Sequence, residues 1–599
     1  MKPTDPLPAI VPETPVPSAS RTELWGSDAV ARMLQRLDVP YVALVPGASF
    51  RGLHDSLVND LGNRRPQMLT CIHEESAIAI AHGYAKASGR MMGAVLHSNV
   101  GLLHASMAIF NAWCDRMPML ILGATGPWDA AKRRPWIDWI HTMSDQGALI
   151  RGFTKWDNQP GSVPAAYDAL LRAAQMATTA PRGPVYVNLD AALQEAKLPE
   201  LPPLPDVSRF RPPEPVHPAP ELVRRAAEML SSAKAPVILA GRSGRDEDAW
   251  RARVQLAETL GARVITDLKV GAVFPTRHPL YVGPPGSYLS EAASKTLREA
   301  DVVLALDWID LAGTLKLASG DQPITAKIIS ASCDVHLHRG FGMEYFGLPP
   351  VDVNLLAEPD VVVLQLAETC RPRRGSAAPA APPETAARAH DVMSLRAVAD
   401  AFNEATDGID VCLTRLPLGW RGGYRDFAHP LDYLGADGGA GVGSGPGITV
   451  GAALALRGSG RIPVALLGDG DYLMGVTALW TATHYEIPCL FVVCNNRSFY
   501  NDEAHQERVA KMRGRPVENK WIGQHIGDPD IDLAMMAVAQ GAKGIGPVTR
   551  PEQLTGAIKE GLRAVMDGEV CVIDARVLPG YDADISGERR AVERSAGKV

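Results

Sequence analysis

Residues 462–470, IPVALLGDG, and residues 489–500, CLFVVCNNRSFY, decide how the chain folds. Each begins as an apolar run and then meets glycine or asparagine, a pattern that predicts a buried strand stopped by a turn. Residues 473–485 between them have helical spacing, so the segment predicts a strand, a helix and a second, parallel strand. Asp469 and Asn496 would then lie side by side at the carboxyl edge of the sheet, where open α/β sheets bind ligands.

Asp469 and Asn496 predict a site for a hard divalent cation. Carboxylate and amide oxygens suit Mg²⁺ or Ca²⁺ rather than zinc, and two protein side chains leave positions for a backbone carbonyl, water and phosphate oxygens. Gly470 lets backbone N–H groups approach a phosphate, and the following helix offers its N-terminus. A glycine turn or an asparagine cap alone would be an ordinary structural feature. Together, at the ends of consecutive predicted strands, they favour a metal and diphosphate site.

The spacing of these two motifs resembles the diphosphate and metal motif of thiamine-diphosphate-dependent enzymes. This superfamily includes acetolactate synthase, benzoylformate decarboxylase, oxalyl-CoA decarboxylase and 2-hydroxyacyl-CoA lyase. The resemblance implies that thiamine diphosphate and Mg²⁺ are the cofactors. It implies that Asp469 and Asn496 bind Mg²⁺ through their side chains and that Ser498 binds it through its carbonyl. Gly470 and Asp471 are then expected to line the cofactor site.

Composition and charge exclude several classes of protein. With 599 residues, 46% of them hydrophobic, the chain has room for two to four domains with sizeable cores. Its net charge of −7 gives no sign of nucleic-acid binding. Residues 91–114 lack charged side chains but include histidine, serine and asparagine, so they predict buried chain and not a membrane span. Eight scattered cysteines without a C-x-x-C pair, and an N-terminus without an apolar core, predict a cytoplasmic protein with no signal peptide.

The order of predicted strands and helices, together with the resemblance, predicts an α/β protein of three doubly wound parallel-sheet domains. In this superfamily they are a pyrimidine-binding (Pyr) domain, a central domain and a diphosphate-binding (PP) domain. The predicted boundaries are an N-terminal arm at 1–22, the Pyr domain at 23–195, a linker at 196–220, the central domain at 221–370, a second linker at 371–390, the PP domain at 391–578 and a C-terminal tail at 579–599. The tail carries four basic residues and either closes over an anionic substrate or is disordered.

Glu74 is the predicted cofactor-activating acid. It stands where a predicted strand meets a helix, at the start of residues 73–85, HEESAIAIAHGYA, and an acid there also suits a helix N-terminus. The string resembles the superfamily signature His-Glu-x-x-Ala-x-x-x-Ala-x-Gly-Tyr-Ala. The resemblance implies that Glu74, rather than Glu75, hydrogen-bonds the aminopyrimidine ring of the cofactor. A desolvated carboxyl group can hold and exchange that proton near neutral pH.

Two further loops at the same sheet edge supply the predicted substrate site. Residues 96–101, LHSNVG, follow an apolar run, and their Leu-His-Ser resembles benzoylformate decarboxylase. His97 is therefore a candidate proton shuttle to the substrate oxygen, or else a buried histidine satisfied by backbone groups. Ala48 and Ser49, in the glycine turn after the first long strand, and Ser98 are predicted to face the substrate.

Three other charged residues are candidate proton carriers or ligands. Glu503, just past the diphosphate motif, is a second candidate for proton transfer, or else a surface acid. Arg242 and Arg245 lie in a glycine-rich loop after the string PVILAG at 236–241. In some members of the superfamily this central domain binds the adenosine part of FAD or CoA. The two arginines are predicted to bind such phosphates, or else are solvated loop residues.

Residues 438–447, GGAGVGSGPG, allow two interpretations. By the resemblance, Val442 takes the place of the apolar residue that bends thiamine diphosphate into a V, and Gly443 lies beside the cofactor. By itself the glycine-rich turn also suits the dinucleotide site of an NAD-dependent oxidoreductase. The pairing of Asp469 with Asn496 favours the first interpretation.

The activity we predict is that of a 2-hydroxyacyl-CoA lyase, which gives formyl-CoA and a ketone or aldehyde. Residues 101–105, GLLHA, the glycine spacing after Gly443 and the basic tail favour it, with an acyl-CoA as substrate. The alternative is a benzoylformate-decarboxylase-like 2-oxo acid decarboxylase or an acetolactate-synthase-like carboligase, favoured by the Leu-His-Ser at 96–98 and by Lys155-Trp156. A non-catalytic relative that only binds the cofactor is a further class. The resemblance also implies active sites between subunits, hence a homodimer or homotetramer.

Overall fold

Three parallel β-sheets, each flanked by helices, make up the computed structural model, which describes residues 13–17, 23–320, 322, 324–337, 347–372 and 390–580. This confirms the predicted three-domain α/β fold class. The predicted N-terminal arm, second linker and C-terminal tail lie largely outside the described residues. Within the described part, no helix combines the length and the hydropathy needed to cross a membrane.

The first sheet has six parallel strands in the order β3-β2-β4-β5-β7-β6, and a separate antiparallel pair joins β1 to β8. The strands are β1 (Leu24–Trp25), β2 (Tyr41–Leu44), β3 (Gln67–Thr70), β4 (Met92–Leu96), β5 (Met119–Thr125), β6 (Asp157–Asn158), β7 (Pro184–Asp190) and β8 (Lys197–Leu198). The helices are α1 (Gly26–Arg36), α2 (Arg51–Asp55), α3 (Glu74–Ser88), α4 (Ser98–Cys114), α5 (Ile137–Ile140), α6 (Val163–Thr178) and α7 (Ala191–Gln194). We refer to this part as the Pyr domain.

The second sheet, of the central domain, has five parallel strands in the order β10-β9-β11-β12-β13. The strands are β9 (Pro236–Ala240), β10 (Arg263–Thr266), β11 (Val302–Leu306), β12 (Lys327–Ala331) and β13 (Val353–Leu355). The helices are α8 (Pro220–Ser232), α9 (Glu247–Leu260), α10 (Glu291–Glu299), α11 (Leu311–Ser319) and α12 (Pro359–Thr369). The strand order reverses beside β9, which places the crevice of this sheet between the loops that follow β9 and β11.

The third sheet, of the PP domain, has five parallel strands in the order β14-β15-β16-β18-β17. The strands are β14 (Val411–Arg415), β15 (Ile462–Gly468), β16 (Leu490–Asn495), β17 (Lys543–Val548) and β18 (Cys571–Arg576). The helices are α13 (Leu395–Ala405), α14 (Gly445–Ala455), α15 (Asp469–Gly475), α16 (Ala478–His484), α17 (Tyr500–Met512), α18 (Leu533–Val538) and α19 (Pro551–Met566). The predicted strand, helix, strand unit at 462–495 is thus formed by β15, α15, α16 and β16.

Helices α3 and α14 join the Pyr and PP domains through backbone contact. Every residue of α14 is buried, as expected for a helix that is apolar all round. A Cβ atom added to Gly83 of α3 would lie 2.0 Å from the carbonyl oxygen of Ile448, and one added to Gly451 of α14 would lie 1.9 Å from that of Ile80. Side chains at these two positions would therefore push the helices apart, and with them the two domains.

We expect Gly83→Ala and Gly451→Ala each to lower the free energy of unfolding by roughly 1–3 kcal/mol or more, since an overpacked contact cannot relax against a backbone. The matched control is Gly556→Ala in the exposed face of α19, where an added Cβ meets no atom within 4 Å. That change should stabilise the helix by about 0.5–1 kcal/mol. Urea unfolding of the three variants checks this, and equal midpoints for Gly83→Ala and Gly556→Ala would contradict it.

Candidate active site

Asp469 and Asn496 follow adjacent strands and converge on one backbone amide. Strands β15 and β16 pair in parallel, with Gly468 opposite Cys494. The Ser498 N–H donates to Asp469 Oδ2 at 3.2 Å and to Asn496 Oδ1 at 2.9 Å. The two side-chain oxygens therefore lie around one point at the sheet edge, beside the peptide of Ser498.

The Asp469 carboxylate is buried and is neutralised only by backbone dipoles in the described part of the chain. Its Oδ1 accepts from the Gly470 N–H at 2.8 Å, and its Oδ2 from the Ser498 N–H. Burial raises the pKa of this carboxyl group to about 6, because no compensating charge replaces the lost water. A divalent cation would hold the group ionised, so this donor set fits Mg²⁺. Across the described residues, no cluster of three or more His, Cys, Asp or Glu side chains offers a metal site of another kind.

The Asp471 carboxylate is hydrogen-bonded to the glycine-rich loop at 438–447. Its Oδ1 accepts from the N–H groups of Gly443 at 2.8 Å and Gly445 at 3.2 Å, and its Oδ2 from Arg415 Nε at 2.7 Å. Gly443 adopts a φ of +109°, which a side chain would strain. Asp471 thus fixes the shape of the loop from within the protein, and Val442 of the same loop stays 38% exposed.

Glu74 is the first residue of α3, with its carboxyl group turned toward α4. Its Oε2 lies 3.2 Å from His104 Nδ1, and a Cβ added to Gly101 would lie 3.2 Å from its Oε1. The neighbouring Glu75 points the other way, where Ser444 Oγ donates to it at 3.3 Å. Burial raises the pKa of Glu75. The two consecutive acids therefore have different environments, and Glu75 belongs to the contact between α3 and the glycine-rich loop.

His97 is held in a small cluster at the end of β4. Its Nδ1 lies 2.8 Å from Ser49 Oγ, and its ring meets His141 edge-on with 4.7 Å between ring centroids. Burial, with the nearby His141, lowers the pKa of His97, so the imidazole is neutral at pH 7. The sequence analysis did not identify His141, because this residue lies 44 positions after His97 in a loop without a recognisable motif.

Two residues that were predicted to face the substrate, Ser98 and Ala48, make hydrogen bonds to other groups of the protein. Ser98 is fully buried, and its hydroxyl lies 2.7 Å from Asn99 Oδ1 and 2.8 Å from the His141 carbonyl oxygen. This residue fastens the loop after β4 to the loop of His141, so these contacts do not support a substrate role. Ala48 is exposed next to Ser49, and its carbonyl accepts from Arg51 Nη1 at 2.9 Å.

Glu503 is buried, so the alternative of a surface acid does not apply. It lies in the first turn of α17, where Ser498 Oγ donates a short hydrogen bond to its Oε1. The Glu503 carboxyl group is therefore hydrogen-bonded to Ser498, the residue whose backbone N–H donates to Asp469 and Asn496. Of the predicted groups, Asp469, Asn496, Ser498 and Glu503 form one cluster, and Ser49 and His97 form another.

Arg242 and Arg245 were predicted to bind ligand phosphates, and their contacts do not support that role. Arg242 Nη2 donates to Asp334 Oδ2 at 2.6 Å and to Asp307 Oδ1 at 3.1 Å, and Arg116 of the Pyr domain also pairs with Asp334. Both arginines are half-buried and hydrogen-bonded to protein groups, so the solvated alternative is not supported either.

The Arg245 guanidinium group donates hydrogen bonds to main-chain carbonyl groups of two other domains. It donates to the carbonyl of Lys86 in the Pyr domain and to those of Pro430, Tyr433 and Leu434 in the PP segment. With its own position in the central domain, this one side chain connects all three domains. The loop after β9 therefore serves as an interdomain joint.

Three family models match the chain in the order of its three sheets. They are described as "Thiamine pyrophosphate enzyme, N-terminal TPP binding domain" at residues 24–149, "central domain" at 223–335 and "C-terminal TPP binding domain" at 418–575. Together they cover more than half of the sequence. The matched segments contain Glu74, His97, Asp469 and Asn496.

Full-length relatives agree with these matches. The chain is 26% identical to benzoylformate decarboxylase of Pseudomonas aeruginosa, over 82% of this chain and 89% of the relative. It is also 26% identical to the acetolactate synthase large subunit of Corynebacterium glutamicum, over 95% and 89%. The solved structure of benzoylformate decarboxylase from Polynucleobacter necessarius has the same fold, with a TM-score of 0.76 at 20% identity, covering 93% of this chain and 99% of that one. The chain therefore belongs to the thiamine-pyrophosphate-dependent enzymes, in the group of decarboxylases and carboligases.

Proposed function

We propose that this protein is a thiamine-diphosphate- and Mg²⁺-dependent 2-oxo acid decarboxylase. The observation that carries the substrate class is the hydrogen bond of 2.8 Å between Ser49 Oγ and His97 Nδ1 at the Pyr sheet edge. It holds a neutral imidazole where a substrate oxygen can exchange a proton with the protein. The relatives named as benzoylformate decarboxylase support the same choice.

Each group of the site has a role in this proposal. Thiamine diphosphate, when bound, supplies the electron sink for breaking a bond next to a carbonyl carbon. Asp469, Asn496 and the Ser498 carbonyl would hold Mg²⁺, and Gly470, Val442 and Gly443 would line the cofactor. Glu74 would hold the proton at the aminopyrimidine ring.

Proton transfer to and from the substrate falls to two residues. His97 is fixed at Nδ1 by Ser49, so its Nε2 is the atom for proton transfer at a substrate oxygen. Glu503, anchored on Ser498, is the second such group, on the PP side of the site. The two residues come from different domains and would act on opposite sides of a bound substrate.

The 2-hydroxyacyl-CoA lyase predicted from the string at 101–105 is the second candidate. One observation favours it: His104, the histidine of that string, contacts Glu74, so the string is part of the site. The contacts of Arg242 and Arg245 weigh against it, because these arginines cannot bind CoA phosphates without leaving their protein partners.

Purified protein with thiamine diphosphate and Mg²⁺ should release CO₂ from benzoylformate or another 2-oxo acid. His97→Ala should lower kcat roughly 10²–10⁴-fold, the usual share of a positioned acid–base group. The matched control is His217→Ala, which replaces an exposed histidine that contacts Gln365 of the central domain and should retain full activity. If the protein instead releases formyl-CoA from a 2-hydroxyacyl-CoA and no CO₂ from any 2-oxo acid, the decarboxylase is wrong and the lyase takes its place.

Removing the charge of the proposed metal ligand Asp469 should weaken cofactor binding. Asp469→Asn keeps the size of the side chain but deletes its charge, so we expect Mg²⁺-dependent binding of thiamine diphosphate to weaken at least tenfold, in the range of 10–100-fold typical of metal-site changes. Asp502→Asn, an exposed acid in the first turn of α17, is the control. Titration calorimetry with and without EDTA measures both, and equal affinities for the two variants would contradict the metal assignment.

We further propose that a second copy of the chain completes each active site. Glu74 faces α4 within its own chain, whereas Asp469 and Asn496 lie at the PP sheet edge. Apolar side chains are exposed next to both groups of residues, as expected of surfaces that meet a partner. They are Ile72, Val100 and Leu103 in the Pyr domain, and Leu418, Val442 and Met474 in the PP domain.

Mixing two inactive variants tests this arrangement. Glu74→Gln and Asp469→Ala dimers, exchanged and re-formed together, should regain about a quarter of the wild-type activity, since half of the dimers are mixed and each has one intact site of two. Sites built within a single chain would regain none. Sedimentation of each variant confirms that both still assemble, and an active monomer would overturn the proposal.

A further inference from the structure

A second buried carboxylate contacts the residue that precedes the proposed Mg²⁺ ligand Asn496. Asp574 of β18 is fully buried, and its Oδ1 accepts a hydrogen bond of 2.8 Å from Asn495 Nδ2. We propose that Asp574 is a positioning residue, which fixes the shape of the cation site through Asn495. This role rests on the function proposed above, because the cation is the metal of that enzyme.

Strand pairing brings Asp574 and Asn495 together. Strands β16 and β18 run in parallel with Asn495 opposite Arg576, and alternate residues of a strand share one face of the sheet. Asp574, two positions before Arg576, therefore lies on the same face as Asn495. Its second oxygen, Oδ2, accepts from Arg576 Nε at 3.0 Å. The guanidinium group thus pairs with the buried charge, as a carboxylate in the interior of a protein requires.

The Asp574 carboxylate decides which way the Asn495 amide faces. A carboxylate only accepts hydrogen bonds, so the NH₂ group of Asn495 has to face Asp574. The carbonyl end of the amide then faces the turn after β16, where Asn495 Oδ1 accepts from the Arg497 N–H at 3.2 Å. An amide turned the other way would set its NH₂ group against that N–H, donor against donor. Through the amide, Asp574 therefore provides the turn with a hydrogen-bond acceptor.

The turn after β16 has a backbone conformation that needs such support. Arg497 has a φ of +58°, in the left-handed region that residues with a side chain rarely adopt, and that persists where the surroundings hold it. The N–H of Arg497 is bound by Asn495, and its carbonyl accepts from the Ile526 N–H at 2.7 Å. The next N–H along the chain is the one that donates to Asp469 and Asn496. The conformation of Arg497 therefore sets where the oxygens of the cation site lie.

Loss of the Asp574 carboxylate should weaken the cation site without removing any ligand from it. Mg²⁺ demands near-ideal octahedral geometry, so a turn that is no longer held in place costs affinity. The charge of Asp469 stays, because its printed hydrogen bonds are to main-chain N–H groups and not to Asn495 or Asp574. We therefore expect weaker cation binding and a kcat that recovers at saturating Mg²⁺.

An exchange of the two side chains separates this role from the packing of a buried residue. Asp574→Asn sets a donor against a donor, either at Asn495 or at Arg576. Combining it with Asn495→Asp restores both hydrogen bonds at equal size and charge, because the new amide donates to the new carboxylate. The control is Asp267→Asn in the central domain, which replaces a buried carboxylate that likewise pairs with one basic side chain, that of Lys269.

Cation affinity is measured without turnover by titrating Mn²⁺ into protein with thiamine diphosphate and following the EPR signal of free Mn²⁺. We expect Asp574→Asn to weaken it about 10–100-fold, as for other residues that orient metal ligands. The exchanged pair should return close to the wild-type affinity, and Asp267→Asn should keep it. If Asp574→Asn does not fold, Asn495→Ala cuts the same link from its other end and should show the same loss.

Three results would overturn the positioning role while leaving the decarboxylase intact. They are wild-type affinity in the variant that lacks the link, an exchanged pair that binds Mn²⁺ as weakly as Asp574→Asn, and an equal loss of affinity in Asp267→Asn. A wild-type protein that binds neither thiamine diphosphate nor Mn²⁺ would overturn the proposed function and this inference together.

Discussion

A buried carboxylate at the end of a parallel strand is the constraint from which the rest of the site follows. The Asp469 carboxylate is buried, and its hydrogen-bond partners in the described residues are main-chain N–H groups. Such dipoles compensate only part of a full charge, which the raised pKa of the group reflects. A cation bound at this edge of the PP sheet would therefore be stabilised by a carboxylate that is already in position. The side chain of Asn496 and the carbonyl of Ser498 would add neutral oxygens of the kind that a hard ion prefers.

In the proposed enzyme, the Pyr domain would supply the acid–base groups and the PP domain the cation site. Glu74 and His97 both stand at the junction of a strand with a helix, at neighbouring points of one sheet edge. Their surroundings differ: Glu74 contacts His104 of α4, and His97 contacts Ser49 and His141. The Pyr sheet edge therefore holds two acid–base groups, each with its own set of neighbours.

The parts of this picture that sequence predicted are those encoded locally. Asp469 and Glu74 each begin a helix and Asn496 directly follows a strand, and hydrophobic periodicity indicates such junctions. The contacts of Arg242 and Arg245 could not be predicted, because a glycine-rich loop has the same sequence pattern whether its arginines contact a ligand or the chain itself. Only tertiary structure brings Asp334 to Arg242 and four distant carbonyl groups to Arg245. His141 and the contact of His104 with Glu74 likewise depend on how separate loops and helices pack.

The crossing of α3 and α14 limits how this chain can be recombined with its relatives. Gly83 and Gly451 bring the two backbones so close that each helix is shaped to the other, although 368 positions separate them in sequence. A chimera that joins the front half of one homologue to the rear half of another inherits helices that were never fitted together. Exchanging both helices as a matched pair, or replacing only a segment of the central domain between two of its surface loops, keeps that fit.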